Sequence, residues 1–269
     1  MSLEIRIVST DFDGTLYAEF ETPPVPHDLQ SLIGQLQRSG TCWVINTGRE
    51  LDSLVDMLER ARLTIQPDYV VAVEREIFQR QDRRFVGLEE WNRNCRQAHE
   101  CLFERVSTDL PRIIDWLNTQ YTATIYADAY SPFCLLARNN DEADAIQEYL
   151  DAYCRLVPKL TLVRNDVYAR LSHADYNKGT ALAEITRQLG ASPDTVFAAG
   201  DQFNDLPMLS IQYARCLAAP ANAIPAVKAA VLRQQGYISD QPWGHGVARG
   251  LEHFLAGSRA VSYRLDYNR

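Results

Sequence analysis

The sequence predicts an α/β fold: a doubly wound, parallel-sheet core interrupted by an inserted α+β segment. Three observations lead there. Short apolar runs rich in β-branched residues recur at Ile5–Val8, Cys42–Ile45, Tyr69–Val73 and Thr195–Ala199. The loops after them carry Asp, Thr and Gly, as expected where an open α/β sheet holds its ligand. Between about Phe78 and Leu171 the pattern changes, and helical and strand-like runs mix without the alternation of the flanks.

The first run, with Ile5, Ile7 and Val8 as its apolar residues, ends on Asp11 and Asp13, and Gly14 then permits a sharp turn. Two carboxylates at one strand end repel each other unless a proton or cation lies between them. A hard cation such as Mg²⁺ takes oxygen ligands and suits this corner. A Pro-rich loop, Thr22 to Pro26, leads to a helix with Leu29, Leu32, Ile33 and Leu36 on one face, and Gly40 sits where a helix ends. The second strand ends in Asn46-Thr47-Gly48-Arg49, and a helix starts near Glu50 with Leu51, Leu54, Val55 and Leu58 as its stripe. Thr47 and Gly48 therefore stand at a strand end and near a helix start, where a hydroxyl and backbone N–H groups can bind phosphate oxygens. The third strand is followed by Glu74-Arg75-Glu76-Ile77.

Within the inserted stretch, helical patterns run over 89–117 and 141–153. Strand-like runs fall at 123–126, 133–137, 160–163 and 168–171. The core resumes at Asn177-Lys178-Gly179-Thr180, a helix start whose lysine opposes the macrodipole unless an anion is bound there. The fourth strand ends in Gly200-Asp201-Gln202-Phe203-Asn204-Asp205. A last strand near Cys216–Ala218 and a helix over 247–255 complete the core.

Composition narrows the function. With 46% hydrophobic and 23% charged residues, the chain reads as an ordinary globular protein long enough for one or two cores. A net charge of −8 argues against a nucleic-acid partner. No apolar run is long enough to span a membrane, and no signal peptide is expected, so the expected location is the cytoplasm. The cysteines at 42, 95, 101, 134, 154 and 216 form no C-x-x-C pair and read as reduced thiols. The five histidines share no metal spacing.

Asp11-Phe12-Asp13-Gly14-Thr15-Leu16 resembles motif I of the haloacid dehalogenase (HAD) superfamily, most of whose members are phosphatases. Thr47 resembles its motif II, Lys178 its motif III, and the Gly200–Asp205 loop its motif IV, all in the expected order. The long gap between motifs II and III resembles the Cof-type branch, and Glu76-Ile77 is similar to a Glu-Ile on the sucrose-phosphatase side of that branch. The resemblance implies a Rossmann-like core over residues 1–77 and 172–269, with an α+β cap over 78–171. It implies Mg²⁺ held by Asp11, Asp201 and the backbone carbonyl of Asp13. Asp11 is then the nucleophile that forms an aspartyl-phosphate, and Asp13 the acid and base. Thr47 and Lys178 hold the phosphoryl oxygens, with Gly48, Asn204 and Asp205 in support. The expected reaction is hydrolysis of a small phosphorylated metabolite, with a sugar phosphate the foremost class. A phosphomutase and a catalytically silent binding protein are the alternatives. Motifs I to IV handle only the phosphoryl group, so the insertion is expected to read the leaving group, with Arg138 and Arg164 as candidates and Glu76 at the hinge. Oligomeric state is left open.

Overall fold

A computed structural model describes residues 4–266. By contact the chain divides into two compact units, one of residues up to Leu88 together with those from Lys178 onward, the other Glu89–Asn177. The first unit begins with β1 (Ile7–Thr10), α1 (His27–Arg38), β2 (Cys42–Asn46), α2 (Leu51–Arg60), β3 (Tyr69–Ala72), β4 (Glu76–Gln81) and β5 (Arg84–Gly87). The second holds α3 (Glu89–Val106), α4 (Leu110–Gln120), β6 (Thr124–Tyr126), β7 (Cys134–Leu136), α5 (Asn140–Cys154), β8 (Leu160–Asn165) and β9 (Tyr168–His173). The first then resumes with α6 (Lys178–Gln188), β10 (Val196–Ala199), β11 (Cys216–Ala219), α7 (Pro225–Arg233), β12 (Tyr237–Ile238) and α8 (Trp243–Asp266).

The first unit is built on an eight-stranded sheet in the order β12-β11-β10-β1-β2-β3-β4-β5, parallel from β12 to β3. All of β1 is buried, as a strand covered on both faces must be. Its register puts Thr10 beside Ala199 of β10 and Ile45 of β2. The residues that follow, Asp11, Asp201 and Thr47, therefore leave the sheet at nearly one level. Leu29, Trp43, Ile45, Leu54 and Phe197 belong to the core that fixes this level. The buried Trp43 indole donates from Nε1 to Thr10 Oγ1 at 3.3 Å, so its one polar group is also satisfied.

Three features differ from the sequence reading. The stretch from Phe78 to Leu88 joins the first unit: β4 and β5 form an antiparallel hairpin that extends its sheet, turning at Asp82, whose φ is +54°. The contact boundaries thus lie at Leu88 and Lys178 instead of Phe78 and Leu171. The expected helix over 89–117 is two helices. Pro111 in the first turn of α4 lacks the N–H a continuing helix needs, and the chain breaks before it. The helix α7 and strand β12 were not expected from the sequence.

The second unit has its own four-stranded antiparallel sheet, ordered β6-β7-β9-β8, and its own core around Ile113, Phe133, Ile146, Leu150 and Leu171. The start of α5 is tied down twice. Asn139 Oδ1 accepts from Glu142 N at 2.9 Å. The Glu142 carboxylate in turn accepts from Thr122 N at 2.9 Å and from Arg138 N at 2.6 Å. These backbone donors, Arg138 foremost, hold the Glu142 carboxyl below its ordinary range. Glu142→Ala should therefore cost about 1–3 kcal/mol at neutral pH, because two backbone N–H groups lose their acceptor. A lowered pKa contributes its stability above the ordinary glutamate value of about 4.3 and loses it on acidification. Urea midpoints of wild type and variant should accordingly differ at pH 7 and converge toward pH 3.

Among the described residues, no helix is long and apolar enough to cross a membrane.

Candidate active site

The site lies at the carboxyl ends of β1, β2 and β10 in the first unit. Asp11 directly follows β1, and its N–H donates to Ala199 O at 2.9 Å, which locks motif I to the end of β10. Lys178, the first residue of α6, is fully buried, with 0% of its side chain exposed. Its Nζ donates to Asp11 Oδ1 at 2.7 Å and to Asp205 Oδ1 at 2.6 Å. Asp205 also accepts through Oδ2 from the N–H groups of Asp201 at 2.8 Å and Gln202 at 2.9 Å. One carboxylate thus fixes both the lysine and the loop that carries Asp201. Gly200 makes the approach possible, since a Cβ there would stand 2.5 Å from Asp205 Cβ.

Asp201 accepts from Thr15 Oγ1 through Oδ1 at 2.6 Å. Its other oxygen would lie 2.7 Å from a Cβ on Gly14, whose φ is +75°, so both space and backbone require glycine there. Ligand atoms of Asp11, Asp201 and Asp205 lie within 4.8 Å of one another.

Three buried carboxylates share this centre with one ammonium. Burial first, then the charge of Asp205, pushes the Asp201 carboxyl up to about 7, against the pull of its Thr15 hydrogen bond. Burial and the charges of Asp205 and Asp201 likewise raise Asp11, although Lys178 opposes them. Burial alone would lower Lys178, but pairing with Asp11 and Asp205 reverses this and holds it charged. The donor set is therefore short of positive charge and rich in hard oxygen. Such a set could hold a hard cation; both oxygens of Asp205 are already engaged, which leaves Asp11 and Asp201 as the residues that could bind it.

Thr47 is buried and fixed by its N–H donating to Val71 O at 2.8 Å, while its Oγ1 accepts from Arg49 N at 3.2 Å. Gly48 is exposed, and its Cα faces Glu74 Oε1. Asn204 is buried, donates from Nδ2 to Glu74 Oε1 at 2.9 Å, and leaves its own Oδ1 unsatisfied.

The Asp13 carboxylate lies outside the acidic cluster. Arg49 clamps it in a fork, with Nε at 2.6 Å from Oδ2 and Nη2 at 2.7 Å from Oδ1. The Asp13 side chain is thereby committed to Arg49.

Four contributors were not assigned from the sequence: Thr15, Asn46, Arg49 and Glu74. Asn46 Nδ2 donates to Lys178 O at 2.9 Å and so pins the start of α6. Glu74 holds φ at +68°, a left-handed backbone, and that local strain is a signal only coordinates reveal.

The cap candidates fare differently. Arg164 is a correction. Its buried guanidinium donates to Asp166 O at 2.7 Å, Asn140 Oδ1 at 2.9 Å and Gln147 Oε1 at 3.0 Å, and it pairs with Asp144. Arg164 thus staples β8 to α5 within its own unit instead of presenting a cation to a substrate. Arg138 is exposed at the turn before α5. Glu76 is half-buried and opens β4 opposite Ala72.

A family model described as sucrose-6F-phosphate phosphohydrolase matches residues 4–255. The chain belongs to this family. Among solved structures, the sucrose-phosphatase of Synechocystis, determined with sucrose and phosphate, superposes with a TM-score of 0.71. It is 17% identical, over 94% of this chain and 98% of that one. A haloacid dehalogenase-like hydrolase of Bacillus subtilis superposes with a TM-score of 0.65 at 18% identity, over 93% and 99%. The 5-amino-6-(5-phospho-D-ribitylamino)uracil phosphatase YcsE of Bacillus subtilis is 22% identical over 94% of this chain and 97% of its own length. A phosphoglycolate phosphatase of Methanothrix thermoacetophila is 31% identical over 115 residues, which span 48% of that relative. This sucrose-6F-phosphate phosphohydrolase family member is a phosphoric monoester hydrolase with the HAD-like fold, and the Cof-type resemblance fits it.

Proposed function

We propose that the protein hydrolyses a small sugar phosphate in a Mg²⁺-dependent reaction that passes through a phosphorylated Asp11. The observation that carries this reading is the fully buried Lys178 ammonium bonded to Asp11, beside two more buried carboxylates. Support for the sugar comes from the family description and from the Synechocystis relative with sucrose and phosphate bound.

Asp11 attacks phosphorus, because its carboxylate is held by Lys178 at the end of β1 and cannot swing away. Thr47 Oγ1, the Gly48 N–H and Lys178 hold the phosphoryl oxygens in line with it. Asp13 gives a proton to the departing alcohol and later takes one from the water that cleaves the aspartyl-phosphate, with Arg49 fixing where its oxygens lie. Asp205 and Asn46 hold Lys178, and Thr15 holds Asp201. Mg²⁺ bound by Asp11, Asp201 and the Asp13 carbonyl would offset charge on the carboxylates and on the phosphoryl oxygens. Asp13 takes part through its carboxylate only in proton transfer. The insertion, residues 89–177 by contact, contributes to choice of leaving group.

The test is release of inorganic phosphate from sucrose 6-phosphate and glucose 6-phosphate by purified protein. Exhaustive chelation should stop turnover and Mg²⁺ should restore it, whereas Ca²⁺, with its looser shell, should restore little. Full turnover in the chelated protein would remove Asp201 from its assigned role.

A further inference from the structure

Beside Asp13, on the surface of the first unit, opens a cavity of about 290 Å³ whose walls include Tyr17, Phe20, Arg49 and Trp243. The phosphoryl chemistry uses none of its aromatic residues. Phe20 is 76% exposed, so folding does not require it where it stands. It meets Trp243 edge to face, with ring centroids 5.1 Å apart at 72°. Trp243 itself sits at φ +48°, which a bulky side chain rarely adopts. Asn222 ties that backbone down: Trp243 N donates to Asn222 Oδ1 at 2.7 Å, and Asn222 Nδ2 donates to Gly14 O at 2.7 Å. A strained tryptophan is thereby tied to the turn that carries Asp13. Tyr17 joins the same wall, stacked on Phe12 at 5.1 Å.

The position of the cavity decides its occupant. A group that protonates a leaving alcohol must touch that alcohol's oxygen, so the leaving group lies on the open side of Asp13. Asp13 and Arg49 border the cavity there. A cyclic sugar has an apolar C–H face and hydroxyls at its edge. Aromatic rings match the first, and Arg49 and Glu19 at the rim match the second. The volume is at the small end of ligand sites, which suits a single ring. We infer that Phe20 and Trp243 form a platform for one ring of a cyclic sugar leaving group, so that the core unit itself helps to select the substrate. This rests on the phosphatase reading above.

Phe20→Ala separates the possibilities, because so exposed a side chain can be removed without unfolding the protein. Steady-state kinetics are compared on glucose 6-phosphate, a ring, and glycerol 3-phosphate, an open chain, with p-nitrophenyl phosphate as the general control for turnover. KM for glucose 6-phosphate should rise about 3- to 10-fold, the scale of one aromatic contact, with kcat nearly constant. Glycerol 3-phosphate should be unaffected, and Phe20→Tyr should behave as wild type. Equal shifts on both esters, no shift on either, or a change in oligomeric state with unchanged kinetics would overturn the platform. So would a wild type that cleaves p-nitrophenyl phosphate or glycerol 3-phosphate but not the cyclic ester. A wild type inactive on all three esters would overturn the phosphatase reading, and the platform with it.

Discussion

Asp11→Asn should release phosphate at well under about a thousandth of the wild-type rate, the scale of loss seen when a nucleophile is removed from a cooperating set. The amide keeps the size of the side chain and an oxygen for Lys178 Nζ, which lies 2.7 Å from Asp11 Oδ1. It lacks the charge needed for attack on phosphorus. The fold should not suffer. Asp11 is raised by burial and by the charges of Asp205 and Asp201, so neutralising it relieves repulsion. The thermal midpoint of the metal-free variant should equal or exceed that of wild type. Burst-phase trapping of labelled phosphate on wild type, and its absence in the variant, provides a second readout. Near-normal turnover by Asp11→Asn would exclude the aspartyl-phosphate.

Lys178→Met should harm both activity and stability. It removes the ammonium that pairs with Asp11 and Asp205 and replaces it with an apolar chain of similar length. Loss of one preorganised charge on the phosphoryl oxygens should lower kcat by about 10²–10³. Breaking a fully buried pair on one side typically costs about 3–5 kcal/mol, since the partner charges stay behind. Acidification should return part of that stability. The lysine remains charged throughout the acid range, because its pKa is raised. The pairing with Asp11 therefore fades as that carboxyl takes up a proton, which its raised pKa makes it do before an ordinary aspartate. Denaturant midpoints of wild type and Lys178→Met should differ most near pH 7 and approach each other toward pH 4. A constant gap across that range would mean that the lysine acts by packing alone.

Much of the site is legible in the sequence, for a physical reason. Asp11, Thr47, Lys178 and Asp201 each stand one or two residues beyond an apolar run or at a helix start, so local pattern locates them. What holds them is not local. Thr15 reaches Asp201, Asn46 reaches Lys178, and Glu74 reaches Asn204, each across more than a hundred residues. Nothing in the neighbouring sequence announces those partners. Arg49 is adjacent to Gly48, yet its fork on Asp13 depends on how two loops meet. The hairpin of β4 and β5 from Phe78 onward reads as insertion because its Arg and Gln residues hide the alternation of an edge strand. The helix α7 is short and rich in alanine, so its apolar stripe is faint. Arg164 misled for the opposite reason: an arginine near a strand end reads as a recognition group, and only the coordinates show its donors committed to α5.

The joint at Asn177 and Lys178 has a consequence for how such a chain can change over generations. Lys178 is the first residue of the core after the insertion. Its carbonyl is pinned by Asn46 and its ammonium by Asp11 and Asp205. All three anchors belong to the first unit, so these contacts set the lysine's place from within that unit. The second unit, with a hydrophobic core of its own, can then gain or lose loops and drift in sequence while its errors stop at the pin. A gene carrying this arrangement can rewrite the insertion without first rebuilding the anchors of Lys178.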